Sequence, residues 1–127
     1  MTKVDWKDEP EEHDYPAAEA YLSLVLPDDV VAATLPALRA ASVTTHKAKD
    51  ILRASGLPLL PTDNPHVAAD LAKVDKGKAL SPVLLVRGNA RTGVPLQIAD
   101  GYHRVCASYH LDENTDIPCR LAALPDA

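Results

Sequence analysis

Aromatic residues are scarce in this chain of 127 residues: phenylalanine is absent, and there are one tryptophan and four tyrosines. The core must therefore be aliphatic, built mainly from alanine, valine and leucine. A chain of this length usually forms one domain. On folding it buries roughly two-thirds of the surface that the unfolded chain exposes to water.

Long apolar runs and cysteines are also few. No stretch approaches the roughly 18 consecutive apolar residues of a membrane-spanning helix, and the N-terminus lacks the basic-then-apolar order of a secretory signal. Cys106 and Cys119 are the two cysteines, too few for a disulfide scaffold. These features predict a reduced, cytoplasmic protein with no membrane partner.

A surplus of positive charge is missing as well. The net charge is −5, which disfavours DNA as a partner, because nucleic-acid-binding surfaces are expected to be basic. Residues 1–15 hold six of the eighteen acids and two lysines, which leaves twelve acids and eleven bases for the rest of the chain. We expect this acidic start to be a solvated, flexible arm ahead of a single domain over 16–127.

Residues 16–56 carry helical patterns and are expected to form a helical layer. Pro36 should end or kink the second helix, because proline lacks the backbone N–H that continues the hydrogen-bond ladder. Gly56 is placed to close the third helix in a left-handed conformation. The three predicted helices cover 17–24, a segment from 28 onward, and a segment that Thr44 or Thr45 caps and that runs through Ser55.

Residues 57–124 change to an alternation of helices and strands. Asn64 is expected to cap a helix with Pro65 in its first turn. The order is helix, strand, strand, helix, strand, which predicts an α/β (α+β) class with a small mixed sheet and flanking helices. The predicted elements are an extended segment at 57–61, a helix at 66–74, a hairpin of strands 83–87 and 94–99, a helix at 102–110 and a strand at 117–121.

The turn Asp100-Gly101-Tyr102-His103-Arg104 is where the sequence suggests chemistry. A strand ends there and a helix begins at once, so the first backbone N–H groups of that helix lack intrahelical acceptors and carry the positive end of its dipole. Such an end binds anions, and glycine allows a ligand to approach closely. Arg104 offers a fork of donors suited to phosphate, and His103 can change its charge near neutral pH.

The same residues also fit an ordinary turn. Asp100 can cap the helix by accepting a hydrogen bond from a backbone N–H group, and its carboxylate would then compete with a bound anion. Arg104 argues the other way, since a cation is unfavourable at a helix N-terminus unless an anion balances it. The local sequence leaves both interpretations open.

The stretch 98–107, which reads I-A-D-G-Y-H-R-V-C-A, resembles the D-G-x-H-R-x-x-A signature of the ParB/sulfiredoxin-like superfamily. The resemblance extends over about residues 61–122 and includes the segments 63–65, 81–86 and 117–121. It implies a ParB/sulfiredoxin-like fold that binds a nucleotide or another phosphate-bearing ligand through Gly101, His103 and Arg104, with Tyr102 in the same turn. Superfamily members include partition proteins that bind CTP and DNA, sulfiredoxins that use ATP, and free-serine kinases.

The resemblance also limits the chemistry. Tyr102 stands where sulfiredoxins carry their catalytic cysteine, and a phenol cannot replace a thiolate nucleophile. Cys106 lies one helical turn further on, on an apolar face, and is expected to be a buried hydrophobe, as is Cys119. NTPase or kinase activity therefore stays open with its catalytic residues unknown. The alternatives are a non-catalytic regulatory module that binds a partner or DNA and, last, a nuclease.

A second set of candidate phosphate contacts lies in the segment K-G-K-A-L-S, before the first strand of the hairpin. Its two cations and a hydroxyl can close over phosphate, although solvated loop lysines are an ordinary alternative. These candidates are Lys76, Lys78 and Ser81, and the resemblance adds Lys73 on the preceding helix.

Metal binding by side-chain clusters is not expected. His103 and His110 are seven residues apart, about 10.5 Å along a helix, which is too far to share an ion. Magnesium carried by a nucleotide is the cofactor that the sequence leaves open, with Asp63, Asp70 or Asp100 as an acid beside it.

Overall fold

The computed structural model describes residues 3–125. Within that range the strands form one sheet in the order β1-β4-β2-β3, with β2 and β4 parallel and both outer pairs antiparallel. Helices and a mixed sheet together confirm the predicted α+β class. The elements are α1 (Asp14–Leu22), α2 (Asp28–Ala40), β1 (Val43–Lys47), α3 (Ala48–Ser55), α4 (Pro65–Asp75), β2 (Val83–Val86), β3 (Gln97–Asp100), α5 (Tyr102–Leu111) and β4 (Asp116–Ala122).

Strand β2 lies inside the sheet and is buried on both faces. Val83 and Leu85 join an apolar cluster with α3, α4 and α5, whereas Leu84 and Val86 join a second cluster with α1 and α2. Successive side chains of a strand point to opposite faces, so an unbroken apolar run fits a strand that is covered on both sides. The domain therefore has three layers, with helices on each face of the sheet.

The order predicted for 57–124 is confirmed by α4, β2, β3, α5 and β4. Strand β3 is shorter than expected because it begins at Gln97, and Val94 makes only an isolated bridge with Asn89. Asn64 caps α4 as predicted, since its side-chain oxygen accepts hydrogen bonds from the N–H groups of His66 and Val67.

The segment 43–47 differs from its prediction. It forms the edge strand β1, in which Thr44 pairs with Cys119 and Thr45 with Pro118, rather than the cap of a helix. Its β-branched run favours a strand once the free edge of β4 is available to pair with it. Helix α3 begins only at Ala48, and it ends as predicted at Gly56, where φ is 69°.

Of the two expected effects of Pro36, an end or a kink, the end does not occur, because helix α2 runs through this proline to Ala40. Pro36 and Ala32, one turn before it, are both exposed. The carbonyl group that loses its partner at a proline therefore faces water, which can satisfy it. This helix is the longest in the range 3–125, and none of the helices there is long and apolar enough to cross a membrane.

Residues 4–15 pack against the domain where the sequence predicts a flexible arm. Val4 is buried, Trp6 forms a bridge with Leu80, and the N–H of Lys7 donates to the Leu80 carbonyl. Asp14 begins α1 and is 2% exposed. The prediction of a solvated arm rested on the number of acidic residues. It overlooked Val4 and Trp6, whose apolar side chains pack this segment against the domain.

Candidate functional site

A pocket of about 270 Å³ lies between α4 and the start of α5. Helix α4 supplies one wall because residues three and four apart share a helix face. The turn from β3 into α5 supplies the other wall. The lining residues are His66, Ala69, Asp70 and Lys73 from α4, and Asp100, Gly101, His103 and Arg104 from the turn.

Gly101 fixes the shape of this turn. Its φ is +106°, which disfavours every residue with a side chain. A Cβ atom at this position would lie 2.4 Å from Cγ1 of Val83 and 2.8 Å from Nη2 of Arg104. Both the backbone conformation and the close packing therefore require glycine.

The N-terminus of α5 carries no side-chain cap within residues 3–125. The first hydrogen bond of the helix runs from the N–H of Val105 to the carbonyl of Gly101 at 3.0 Å. The N–H groups of Tyr102, His103 and Arg104 precede that bond and concentrate the positive end of the helix dipole beside the pocket.

Asp100 does not cap the helix, so that alternative interpretation of the turn is wrong. Its Oδ2 accepts a hydrogen bond from Nη2 of Arg104 at 2.9 Å, and the same nitrogen lies 3.4 Å from the carbonyl oxygen of Pro82. The two side chains are 16% and 17% exposed. Within the described part of the chain, Nε of Arg104 is buried without a hydrogen-bond partner.

His103 and Asp70 make the pocket sensitive to pH. The rings of His66 and His103 lie 4.6 Å apart between centroids, at an angle of 37°. Burial, with further contributions from His66 and Arg104, lowers the pKa of His103, although Asp70 opposes this shift. Burial raises the pKa of Asp70 against the opposing charges of Arg104 and Lys73. His103 is therefore mainly neutral at pH 7.

The structure brings together most of the candidates from the turn. Gly101, His103 and Arg104 line the pocket, and Lys73 joins them from α4. Tyr102 differs, because its hydroxyl group donates to the carbonyl oxygen of Pro58 in the extended segment before α4. Its ring stacks beside that of His103, with centroids 5.7 Å apart, so it borders the pocket without lining it.

The second set of candidates lies outside the pocket lining. Lys76 and Lys78 are exposed in the turn that ends α4, where the N–H of Lys78 donates to the carbonyl of Lys73. Gly77, with φ of +72°, turns the chain there and leaves both lysines in solvent. Ser81 is 7% exposed and belongs to the interior. The structure therefore favours solvated loop lysines over a second phosphate-binding loop.

Sequence reasoning missed His66 and named Asp70 only as one of three acids, with Asp63 and Asp100, for the place beside a nucleotide-bound magnesium ion. The signal was present, because His66, Asp70 and Lys73 are spaced by four and then three residues on a predicted helix and must share one face. The missing information was the side of α4 that faces α5.

A second cluster, which the sequence did not predict, brings ligand atoms of Glu11, His13 and Asp14 within 4.8 Å of one another. Glu11 pairs with Lys7, and Asp14 accepts a hydrogen bond from the N–H of Glu11 at 3.0 Å. These contacts close the first turn before α1. The N–H of Asp14 in turn donates to the backbone carbonyl oxygen of Glu11 at 2.9 Å, so the cluster has a structural explanation as the turn that leads into α1.

Both cysteines are buried, as expected. Burial raises the pKa of the Cys106 thiol, and it raises that of Cys119 as well. A buried thiol of raised pKa is a poor nucleophile because the thiolate is the reactive form.

Comparison of the chain with protein-family models, with curated proteins and with solved structures gives no match. The functional assignment therefore rests on the geometry and chemistry of the pocket.

Proposed function

We propose that the pocket between α4 and α5 binds a phosphate-bearing small molecule, with a nucleotide as the preferred class. One observation carries the proposal: the uncapped N-terminus of α5 borders a pocket that Lys73 and Arg104 enter from two different helices. Free backbone N–H groups, a helix dipole and charge-assisted donors are the features that bind phosphate. The resemblance of the turn to the ParB/sulfiredoxin-like signature supports the choice of a nucleotide.

The charge balance of the pocket refines the ligand. Lys73 and Arg104 are offset by Asp70 and Asp100, so these four lining side chains together carry little net charge. A nucleotide with a bound magnesium ion suits this mixture, because the phosphates meet the cations of the pocket while the metal ion offsets its carboxylates. Inorganic phosphate alone should bind more weakly than the magnesium nucleotide.

Turnover of the nucleotide is the second part of the proposal. Within the described residues Asp70 makes no ion pair, in contrast to Asp100, and its raised pKa suits a general base better than an ordinary surface carboxylate. We therefore propose Asp70 as the base of an NTPase or kinase reaction. Release of phosphate from the bound nucleotide, compared with an Asp70→Asn variant, measures this directly.

Isothermal titration with ATP, CTP, GTP and inorganic phosphate, with and without magnesium, tests the binding. Saturable binding of at least one nucleotide is expected. Lys73→Ala should weaken it about 10- to 100-fold, because a hydrogen bond to a charged group contributes about 1.5 to 3 kcal/mol. Lys76→Ala is the matched control, since Lys76 is an exposed lysine outside the pocket lining.

Equal losses in Lys73→Ala and Lys76→Ala would show that binding reflects general charge rather than the pocket. Absence of binding to all four ligands would reject the proposal. Circular dichroism of both variants checks that each retains the fold. We expect that Lys73→Ala does, because Lys73 is exposed and its removal leaves no cavity.

A further inference from the structure

The turn before α1 brings together three side chains of types that bind metal ions: Glu11, His13 and Asp14. One ligand atom of each lies within 4.8 Å of the other two. Nε2 of His13 lies 3.0 Å from Oε2 of Glu11 and 3.5 Å from Oδ1 of Asp14. The histidine nitrogen therefore stands between two carboxylate oxygens, and none of the three residues lines the pocket between α4 and α5.

The turn itself uses only one oxygen of each carboxyl group. Oε1 of Glu11 pairs with Nζ of Lys7, and Oδ2 of Asp14 accepts a hydrogen bond from the N–H of Glu11. The atoms that approach His13 are the other two oxygens, Oε2 of Glu11 and Oδ1 of Asp14. The contacts that form the turn therefore do not explain why a second oxygen of each acid converges on the same imidazole nitrogen.

The burial of Asp14 is a second and independent indication of a cation. Its side chain is 3% exposed, and buried charges in proteins are paired or bind metal ions. Its one ion-pair partner within residues 3–125 is His13, which is a cation only when protonated. Asp100, the other largely buried aspartate, has the permanent cation Arg104 at 2.9 Å. Asp14 therefore has a place for a positive charge that no lysine or arginine of the described residues fills.

We propose that Glu11, His13 and Asp14 bind a divalent transition-metal ion, with Zn²⁺ as the preferred ion. Imidazole nitrogen and carboxylate oxygen are ligands that zinc accepts. Around an ion about 2.1 Å from each ligand atom, the separations of 3.0 and 3.5 Å correspond to angles of about 90° and 110°, which are ordinary coordination angles. The two charges of the ion balance the two carboxylates.

The ion holds the N-terminal segment to the first turn of α1. Glu11 precedes this helix and Asp14 begins it, so one ion fixes both sides of the junction. The side chain of His13 is 77% exposed, and water therefore fills the remaining coordination positions, as in other sites with three protein ligands. Because the ligand atoms come together only in the folded chain, metal binding stabilises the fold.

Titration of the full-length protein with Zn²⁺, after purification without a histidine tag, tests the site. Calorimetry should show one ion bound per chain at this site. The side-chain nitrogen resonances of His13 should move as zinc is added, whereas those of His46, exposed on β1, should stay in place. The midpoint of thermal unfolding should rise with the zinc concentration, because the ion binds the folded state.

Substitution of His13 should have the clearest effect on zinc binding. His13→Ala should lower the affinity at least about 100-fold, because loss of even an outer-shell partner of a metal ligand costs about 10- to 100-fold. His13 is exposed, so its removal leaves no cavity and the variant should keep the circular dichroism spectrum of the wild type. Asp8→Asn is the matched control, since Asp8 is an exposed acid of the same segment outside the cluster, and it should leave the affinity unchanged.

Three outcomes would overturn the proposal. The first is that Zn²⁺ does not bind the wild-type protein. The second is an equal loss in His13→Ala and Asp8→Asn, which would show general attraction of cations to an acidic segment. The third is movement of the His66 and His103 resonances in place of those of His13, which would put the ion in the pocket between α4 and α5. The proposed function is tested separately, because no residue of the metal site lines that pocket.

Discussion

Helices α4 and α5 both contribute to the pocket, but they begin in opposite ways. At the start of α4, the Asn64 side chain accepts from the N–H groups of His66 at 3.0 Å and Val67 at 3.2 Å, and Pro65 has no N–H to satisfy. At the start of α5, Gly101 has no side chain, and the nearby Asp100 carboxylate is held by Arg104. The start of α4 is closed, because its backbone donors are satisfied within the protein. The start of α5 is open, because it leaves backbone donors for a ligand.

The comparison shows that a polar residue next to a helix start does not by itself make a cap. An ion pair with Arg104 offers Asp100 a charged donor, and hydrogen bonds to charged groups are roughly twice as strong as neutral ones. The pair also reduces the cost of placing a cation at the positive end of the α5 dipole. Asp100 therefore stabilises Arg104 rather than the backbone, and the backbone stays open.

Replacing the glycine of the open start should have the largest effect. Gly101→Ala combines a left-handed conformation, which costs roughly 1 to 2 kcal/mol, with overlap against Val83, which costs roughly 1 to 3 kcal/mol. We expect the free energy of unfolding to fall by about 2 to 5 kcal/mol, measured by urea denaturation.

Gly77→Ala is the matched control, because Gly77 also has a positive φ of 72° but an added Cβ would meet nothing within 4 Å. It should lose only about 1 to 2 kcal/mol from its backbone conformation. Equal losses in the two variants would show that close packing against Val83 contributes nothing to the turn.

Removing the cap of the closed start should have a smaller effect. Asn64→Ala leaves the N–H groups of His66 and Val67 without their acceptor, and loss of such a cap costs about 0.5 to 2 kcal/mol. Asn64→Asp should retain the stability of the wild-type protein, because aspartate caps as well as asparagine. Thermal unfolding monitored by circular dichroism separates the two variants. A similar loss in both would contradict the capping role.

The sequence predicts the closed start and leaves the open one undecided for a physical reason. The cap of α4 is local, since Asn64 and Pro65 act on residues two and three positions away. The hydrogen-bond partner of Asp100 depends on the rotamer of Arg104. It also depends on the carbonyl group of Pro82, which accepts from the same guanidinium group although it lies far away in the sequence, just before β2. Local patterns therefore identify the turn but not the partner that its carboxylate selects.

The same distinction explains the other outcomes. Strand β2 is predictable because a short, unbroken apolar run is buried on both faces when it forms an interior strand of a sheet. Strand β1 was missed because its five residues are mostly exposed and gain their identity from pairing with β4. His66 was missed because only the packing of α4 on α5 shows which face of its helix borders the pocket. Contacts between residues far apart in the sequence decide the last two of these features.

The smallest expected effect concerns the charge of His103 at the open start. Its pKa is lowered by burial, so it gains its proton only as the pH falls below the ordinary histidine value of about 6.5. The protonated ring then adds a positive charge beside the free N–H groups of α5, and anion affinity should rise as the pH falls. A half-exposed charge pair contributes about 0.2 to 1 kcal/mol, which corresponds to at most about a fivefold gain in sulfate affinity.

His103→Gln should remove this gain, whereas His46→Gln should keep it, because His46 is exposed on β1 and lies outside the pocket lining. An equal gain in both variants would mean that the charge of His103 does not set the anion affinity at the open start of α5.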